Sequence, residues 1–371
     1  MTDNSYLDPL LAKVMLTRVP GIGPRLISVL LEHFGSAINV LSQSRQSLLS
    51  VPGLGNKICD RILTADPGEA ERCLDHCKRL GVTLLDSSQA DFPASLKSIS
   101  DTPPLLYVRG TLTPQDDLSI AMVGSRRCSP YGIRMAHRIA GALARAGFTI
   151  VSGLARGIDA SAHRGALTVG GRTTAVLASG VEHIYPPEHL DLAHEVMQSG
   201  ALVSECPLDQ KPRAGLFPQR NRIISGLSQG VVIIEATKRS GSLHTARHAM
   251  EQGREVFALP GPVDSLTSEG CHNLIRDGAT LIRNVDDILE QLGPLPQPAR
   301  TESDRVVHHP REVVLNPQES EILNAISTQP TDIDHVVRTT KLDPSRVLST
   351  LTVLEMRRFI RRLPGNQVVR T

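Results

Sequence analysis

The fold class this sequence predicts is a doubly wound parallel α/β sheet flanked by two smaller helical modules, and three observations predict it. Seven short apolar runs begin at Ser119, Phe148, Thr173, Ala201, Gly230, Glu255 and Ala279 or Thr280, recurring every 24 to 29 residues, the spacing of βαβ units. The runs are near-continuous in Val, Ile, Leu and Ala rather than alternating, as strands covered on both faces require. Small, acidic and basic residues follow them at Gly124-Ser125-Arg126, 153–159, Ser179-Gly180, Ser204-Glu205, 235–242 and Pro260-Gly261. In such sheets the crevice outside the carboxyl ends of the strands is where ligands bind.

Ahead of the sheet, residues 16–34 read LTRVPGIGPRLISVLLEHF and residues 48–63 read LLSVPGLGNKICDRIL. Both run apolar-Pro-Gly-apolar-Gly into an amphipathic stretch, and Gly21 and Gly53 stand 32 residues apart, so the segment is an internal repeat. The pattern resembles the helix-hairpin-helix motif, whose glycines let backbone N–H groups approach a DNA phosphate with no side chain intervening. Such a tandem, a SAM-like helical domain over residues 1–85, serves either DNA contact or protein docking. The sheet domain is expected over residues 86–290. Residues 291–317, rich in proline and mixed charge, read as a linker. Residues 318–371 then carry three stretches of helical periodicity, SEILNAI, TDIDHVVRTT and DPSRVLSTLTVLEM, with Thr331 and Asp343 as expected caps. Pro364-Gly365-Asn366 marks a hairpin turn in IRRLPGNQVVR. Three helices and a two-stranded wing make a winged helix, and Arg357, Arg358, Arg361, Arg362 and Arg370 make it basic; DNA and a protein partner both suit it.

Length and composition fit this division. At 371 residues the chain exceeds one typical domain and can bury a sizeable core. No apolar run approaches the roughly 18 residues of a membrane span. The opening MTDNSYLDPL has no basic region followed by an apolar stretch, so a cytoplasmic protein without membrane contact is expected. The six cysteines, Cys59, Cys73, Cys77, Cys128, Cys206 and Cys271, follow no disulfide framework and are expected to be reduced thiols. Cys73, His76 and Cys77 invite a zinc reading, but no second ligand pair follows at suitable spacing, and neither metal nor cofactor is expected. Trp is absent and aromatics make up 3% of the chain, which argues against a base-stacking platform such as an RRM or a typical OB domain.

The most informative stretch runs over residues 217–247, FPQRNRIISGLSQGVVIIEATKRSGSLHTAR. A buried-type strand separates one basic loop, Arg220-Asn221-Arg222, from a second, Lys238-Arg239-Ser240-Gly241-Ser242. Residues 211–254 hold eight Lys or Arg against two acids, whereas the whole chain is only +2. Guanidinium forks bind phosphate bidentately, and amides at a following helix start complete the cradle. The expected ligand is a polyanion.

Familiar catalytic constellations are missing. A dinucleotide enzyme places G-x-G-x-x-G after its first strand, whereas Gly124-Ser125-Arg126-Arg127 puts charge where close backbone approach needs glycine. The sequence has no Walker A run, and its one G-x-S-x-G match, GLSQG at 226–230, leads into a strand instead of turning from a strand into a helix as a nucleophile elbow does. Asp159 and His163, four apart at a helix start, either orient a base or act as a cap and a packed ring. Glu205 and Glu235 end strands at the same edge; they form a carboxylate pair for nucleotide hydrolysis, or each bonds a loop or arginine and holds the phosphate site in shape.

Taken together, VGSR at 123–126, VSGLARGIDASAH at 151–163, AVLASGVEHIYPPEH at 175–189, SE at 204–205, FPQRNRIISGLS at 217–228, EATKRSGSLHTAR at 235–247 and VFALPGPVDSLTSEGCHNLIRDGA at 256–279 resemble the DprA, or Smf, family of DNA-processing proteins. The resemblance is dense over residues 90–290, and the helical repeats and winged helix are similar to those of longer members. It implies an extended Rossmann domain, non-enzymatic and without cofactor, that binds single-stranded DNA irrespective of sequence. It also implies a homodimer that loads the recombinase RecA onto incoming strands in natural transformation. By motif, Gly124, Ser125 and Arg126 would hold one phosphate, and Arg220, Asn221 and Arg222 the neighbouring backbone. Gly153 and Arg156 lie in the adjoining loop, Phe217 would stack or wedge against a base, and Lys238, Arg239, Ser240, Gly241 and Ser242 would complete the pocket. His244 departs from the apolar residue or Thr usual in the family. Self-association is expected on an apolar helix over 285–292. An alternative of another class is a nucleotide-processing Rossmann enzyme of the phosphoribohydrolase kind. Those proteins carry P-G-G-x-G-T-x-x-E, and Pro260-Gly261-Pro262 is the nearest piece here.

Overall fold

The computed structural model describes residues 7–292, 299–300, 306–307, 315–327, 329–357 and 359–370. The chain divides into two compact units, Met1–Leu292 and Gly293–Thr371.

In the first unit, helices α1 (Pro9–Arg18), α2 (Pro24–Phe34), α3 (Ala37–Leu41), α4 (Arg45–Leu49), α5 (Asn56–Leu63) and α6 (Pro67–Leu80) precede the sheet. Asp8, Ser36, Ser44 and Asp66 accept backbone N–H bonds at the starts of α1, α3, α4 and α6, satisfying donors that helix geometry leaves open. The two repeats differ in this respect: α2 and α5 follow Gly23 and Gly55 with no side-chain cap. Their turns pass through Gly21 and Gly53 at φ +93° and +86°, a region that side chains with a Cβ rarely enter. This is the physical reason for the repeated Pro-Gly.

Strands β1 (Val82–Asp86), β2 (Leu105–Gly110), β3 (Ser119–Gly124), β4 (Thr149–Ser152), β5 (Thr173–Val176), β6 (Ala201–Ser204), β7 (Gly230–Ile234), β8 (Glu255–Ala258) and β9 (Thr280–Leu281) form one sheet in the order β1-β2-β6-β5-β4-β3-β7-β8-β9. The seven expected strands are present, β4 starting one residue later than read from the sequence. From β6 to β9 across the sheet all pairs are parallel, whereas β1 and β2 add an antiparallel edge. That edge precedes the βαβ rhythm and was not anticipated; the expected boundary at 85/86 falls inside β1. Helices α7 (Ala94–Lys97), α8 (Pro130–Arg145), α9 (Ile158–Thr168), α10 (Leu190–Ser199), α11 (Leu216–Gly226), α12 (Ser242–Glu251), α13 (Glu269–Arg276) and α14 (Val285–Gln291) complete the unit. The parallel part of the sheet starts at central β3, winds outward through β4, β5 and β6, then returns to the other side of β3 as β7. The gap at the carboxyl ends of β3 and β7 is therefore the topological switch point.

Helices and sheet share one apolar core running from Ala12 through Leu16 and Leu30 to Tyr107, Leu202 and Leu208. Polar links cross the same seam. Lys13 Nζ donates to Asp86 Oδ1 with both side chains about one-tenth exposed, and Arg18 donates to both carboxylate oxygens of Asp209 at 3.0 and 3.2 Å. Burial pushes the Asp86 carboxyl up, but bonds from Lys13 and Ser88 outweigh it and hold it below the usual range. On α14, Ile288 and Leu289 are buried within this chain, so the apolar side expected to face a second copy is already covered. No helix among the described residues is long and apolar enough to cross a membrane.

The second unit holds a two-residue ladder, β10 (Ala299–Arg300) with β11 (Val306–Val307), inside the segment read as linker. Most of that segment, like Arg358, lies outside the described residues. Then come α15 (Pro317–Asn324), β12 (Thr331–Asp332), α16 (Ile333–Thr340), α17 (Pro344–Met356), β13 (Ile360–Leu363) and β14 (Gln367–Arg370). The wing turns at Gly365 and Asn366 with φ +85° and +63°. Asp343 caps α17 as expected, but Asp332, not Thr331, caps α16, because Thr331 pairs with Val368 in a third short strand.

Removing the cation from the Lys13–Asp86 pair leaves a carboxylate buried alone. Lys13→Ala is expected to lower the unfolding free energy of the first unit by about 3 kcal/mol or more, to be read from urea denaturation followed by circular dichroism.

Candidate functional site

A cleft of about 630 Å³ opens at the switch point. Of the expected site residues, Gly124, Ser125, Arg126, Phe217, Arg220, Asn221, Ser240, Gly241 and Ser242 line it. Arg127, Asp159, Pro218, Thr237, His244, Leu266 and Thr267 line it as well. Its floor depends on two glycines. A Cβ on Gly124 would come within 1.8 Å of the Ile234 carbonyl oxygen, so only glycine lets the ends of β3 and β7 lie this close. A Cβ on Gly153 would meet the Arg220 guanidinium at 2.3 Å; Gly153 therefore makes room for a side chain rather than for a ligand.

At the mouth, the exposed Arg126 guanidinium stands over the Phe217 ring, 4.8 Å from its centroid, a cation–π geometry. Tyr185 meets Phe217 edge-on at 5.9 Å. Opposite, α12 begins after Gly241 without a side-chain cap. Ser240 and Ser242 hydroxyls lie 2.8 Å apart, and Asn221 Nδ2 reaches the Gly241 carbonyl at 3.2 Å. Cationic fork, aromatic face, hydroxyls and helix amides thus surround one space, a set that complements a phosphate joined to a flat ring.

The sequence reading treated Arg220-Asn221-Arg222 as a basic loop; the structure makes it part of α11. Residues two apart on a helix point about 200° away from each other, so the two arginines cannot face one ligand together. Arg220 turns inward, 5% exposed, and its Nη1 donates to the carbonyls of Gly153 (2.8 Å) and Val176. Burial lowers its pKa to about 10, opposed by the negative charge of Asp159. Arg222 emerges on another side of α11 and pairs with Glu205 and, at 3.2 Å, with Asp101; it does not line the cleft.

Other expected residues also lie apart from the cleft. Arg156 is exposed and paired with Glu188, Lys238 is exposed and 3.3 Å from Glu269, and Arg239 is exposed on the loop after β7. Asp159 accepts from the Gly153 and Ala155 amides at 3.2 and 3.4 Å, which pins the loop where Leu154 adopts φ +57°; burial pushes its carboxyl up. Glu205 and Glu235 do not pair with each other. Glu205 holds Arg222, and Glu235 accepts from the Ser129 amide at 2.7 Å and from its hydroxyl. His163 is a packed ring. Its Nδ1 lies 2.7 Å from Thr173 Oγ1, whose proton goes to the Ile150 carbonyl, so Nδ1 carries the ring proton and Nε2 is buried without a partner. Burial first, then the positive charge of neighbouring His and Arg groups, lowers its pKa to about 3. Leu266, 71% exposed, was missed by sequence reading; a lone Leu in the polar run 264–269, DSLTSE, was its one trace there.

Two outcomes follow from burial. Arg220→Ala leaves strand-end carbonyls and Asp159 without their cation and is expected to cost about 3–5 kcal/mol, whereas Arg126→Ala at the exposed mouth should stay within about 0.5 kcal/mol; urea denaturation separates the two. For His163, the unfolded ring takes a proton below its ordinary 6.5 while the folded ring stays neutral to about 3. Between those values the unfolded state holds the extra proton, so stability falls as pH falls, by up to about 1.4 kcal/mol per pH unit. Denaturation of wild type and His163→Gln from neutral pH down to about 5 is expected to show a shallower slope in the variant.

Comparison with known proteins identifies the family. Residues 83–293 match the family DNA recombination-mediator protein A, residues 307–366 a DprA winged helix domain, and residues 13–65 a SAM-like helix-hairpin-helix tandem. The chain is 41% identical over 324 residues to Protein Smf of Escherichia coli, covering 86% of each. It is 41% identical over 222 residues to the DNA processing protein DprA of Bacillus subtilis, covering 60% of this chain and 75% of that one. Among solved structures, DprA from Streptococcus pneumoniae superposes with a TM-score of 0.69 at 32% identity, over 77% of this chain and 99% of that one. DprA from Helicobacter pylori, whose structure is described in terms of a single-stranded DNA binding mode, gives 0.50 at 32% identity over 55% and 96%. A family match spanning the whole sheet, with both flanking domains in place, means that the chain belongs to the DNA recombination-mediator protein A family, DprA or Smf.

Proposed function

We propose that this protein binds single-stranded DNA irrespective of sequence in the cleft between β3 and β7 and acts as a recombination mediator, a binding module rather than an enzyme. The observation that carries the reading is the Arg126 fork standing on the Phe217 ring beside the uncapped start of α12. A phosphate accepts from the guanidinium edge, the Ser240 and Ser242 hydroxyls and the helix amides, none of which distinguishes one base from another. The base next to it lies against Phe217, and stacking on an aromatic face is tolerant of sequence because every base offers a π-face. A duplex keeps its bases stacked on one another, so only an unpaired strand offers that face. The same reading includes assembly as a homodimer and delivery of the bound strand to the RecA recombinase in natural transformation. The single-stranded DNA named for the Helicobacter pylori relative supports it, as do the separate engagements of Glu205 and Glu235, which keep those two acids from forming the pair that the nucleotide-hydrolysing alternative called for.

Fluorescence anisotropy with labelled single-stranded and duplex oligonucleotides at several salt concentrations tests it. Wild type is expected to prefer single strands, and Arg126→Ala to weaken binding to every sequence alike while reducing the salt slope by about 0.7, the value of one phosphate contact on a single strand. Unchanged affinity and slope in the variant, or a preference for duplex, would refute the assignment.

A further inference from the structure

Charge is unevenly divided among the helices that cover the sheet. Residues 119–181 hold eight arginines, no lysine and a single acid, and that acid, Asp159, is buried. Arg126 stands on Phe217 at the cleft, and Arg156 and Arg172 are held by Glu188 and Asp116. The other five, Arg127, Arg134, Arg138, Arg145 and Arg164, are exposed and meet no carboxylate among the described residues. By contrast α10, two crossovers further along the same winding, carries Asp191 and Glu195 and neither Lys nor Arg.

Three of the five share one helix and one face. On α8, Arg134, Arg138 and Arg145 fall within about 40° of one another at roughly 100° per residue, and they span about 16 Å of the axis. Gly132, Ala136, Ile139, Ala140 and Leu143 bury the opposite side, so the stripe is the solvent ridge of the helix. A solvated ridge ordinarily mixes both signs. Like charges four apart, as Arg134 and Arg138 are, destabilise the helix that carries them, and a polyanion laid along the ridge removes that repulsion.

The ridge begins at the cleft. Helix α8 leaves the carboxyl end of β3 and runs back along the sheet, and Arg127, in the loop between the two, lines the cleft. The junction is fixed in place. Glu235 accepts from the Ser129 amide and hydroxyl, Ser129 Oγ accepts from the Gly132 amide at 3.2 Å, and a Cβ on Gly132 would come within 2.6 Å of the Glu235 carboxylate.

We propose that this ridge is a track for the backbone of the strand once it leaves the cleft: Arg127 passes the chain to Arg134, Arg138 and Arg145, each taking a phosphate without regard to base. Continuity with the cleft and charge identify the occupant, since unpaired guanidinium forks in line complement the phosphates of one strand. The proposal rests on single-strand binding in the cleft, and it makes affinity grow with strand length.

Oligothymidylates from about 4 to about 16 nucleotides long, the range of single-strand sites on one OB fold, test it by anisotropy against the full chain at several salt concentrations. The variant Arg134→Gln/Arg138→Gln/Arg145→Gln removes the ridge charge, the same three positions changed to Lys restore it, and Arg126→Ala reports on the cleft. The three side chains are exposed, so the Gln variant is expected to unfold in urea no earlier than wild type. The shortest strands should bind it as they bind wild type. On the longest it should be weaker by about tenfold, with a salt slope lower by about 2, the value of three single-strand phosphate contacts, and the Lys variant should recover most of both. Wild-type affinity and slope on long strands in the Gln variant overturn the track and leave the ridge to an acidic protein face. A loss equal at every length, or one that Lys does not restore, overturns it as well. If Arg126→Ala binds the shortest strands as wild type does, the cleft reading fails and the track with it.

Discussion

One buried guanidinium organises the sheet's carboxyl edge. Arg220 takes the carbonyl just after β4 and the one that ends β5 and lies in the field of Asp159, which in turn holds the loop between β4 and α9. Parallel strands that stop at a crevice leave carbonyl groups with no partner strand beyond them, and a buried acceptor needs a donor. Arg220 is that donor, which is why Gly153 must lack a side chain and why α11 is drawn up against the strand ends. The ligand-facing groups are then free to be few and exposed. Arg126, Phe217 and the start of α12 are presented by a frame whose charges are already balanced beneath them.

Much of the sheet was legible because buried parallel strands leave a one-dimensional trace: unbroken apolar runs at even spacing, each ending in a loop of small residues. β1 and β2 left no such trace. They precede the repeating rhythm, pair antiparallel, and are recognisable as sheet only through partners distant in sequence. In the winged helix, Asp343 was readable as a cap from local pattern. Thr331 was not readable as a strand residue, because its partner Val368 comes from the far end of that domain.

At the site, residue type was a better guide than residue role. The basic motif 220–222 stands out in the sequence, yet helical geometry sends its two arginines to different places, one into the frame and one to a separate ion-pair cluster. Charge counted along a sequence cannot distinguish a guanidinium that greets a ligand from one that holds strand ends together; a phase angle on a helix can. Arg126 and Phe217, 91 positions apart in sequence, meet only because β3 lies beside β7 at the switch point.

The shared core between the helical repeats and the sheet bears on modularity. Lys13 reaches Asp86 on β1, and apolar side chains from α1 through α6 continue without interruption to Tyr107 and Leu202 in the sheet. A chain begun after residue 85 would lose nearly all of an edge strand along with the helices that roof it, baring apolar surface on β2. The repeats therefore cannot be treated as a cassette that shuffles freely between proteins, and a relative lacking them must have rebuilt that flank of its sheet with different residues.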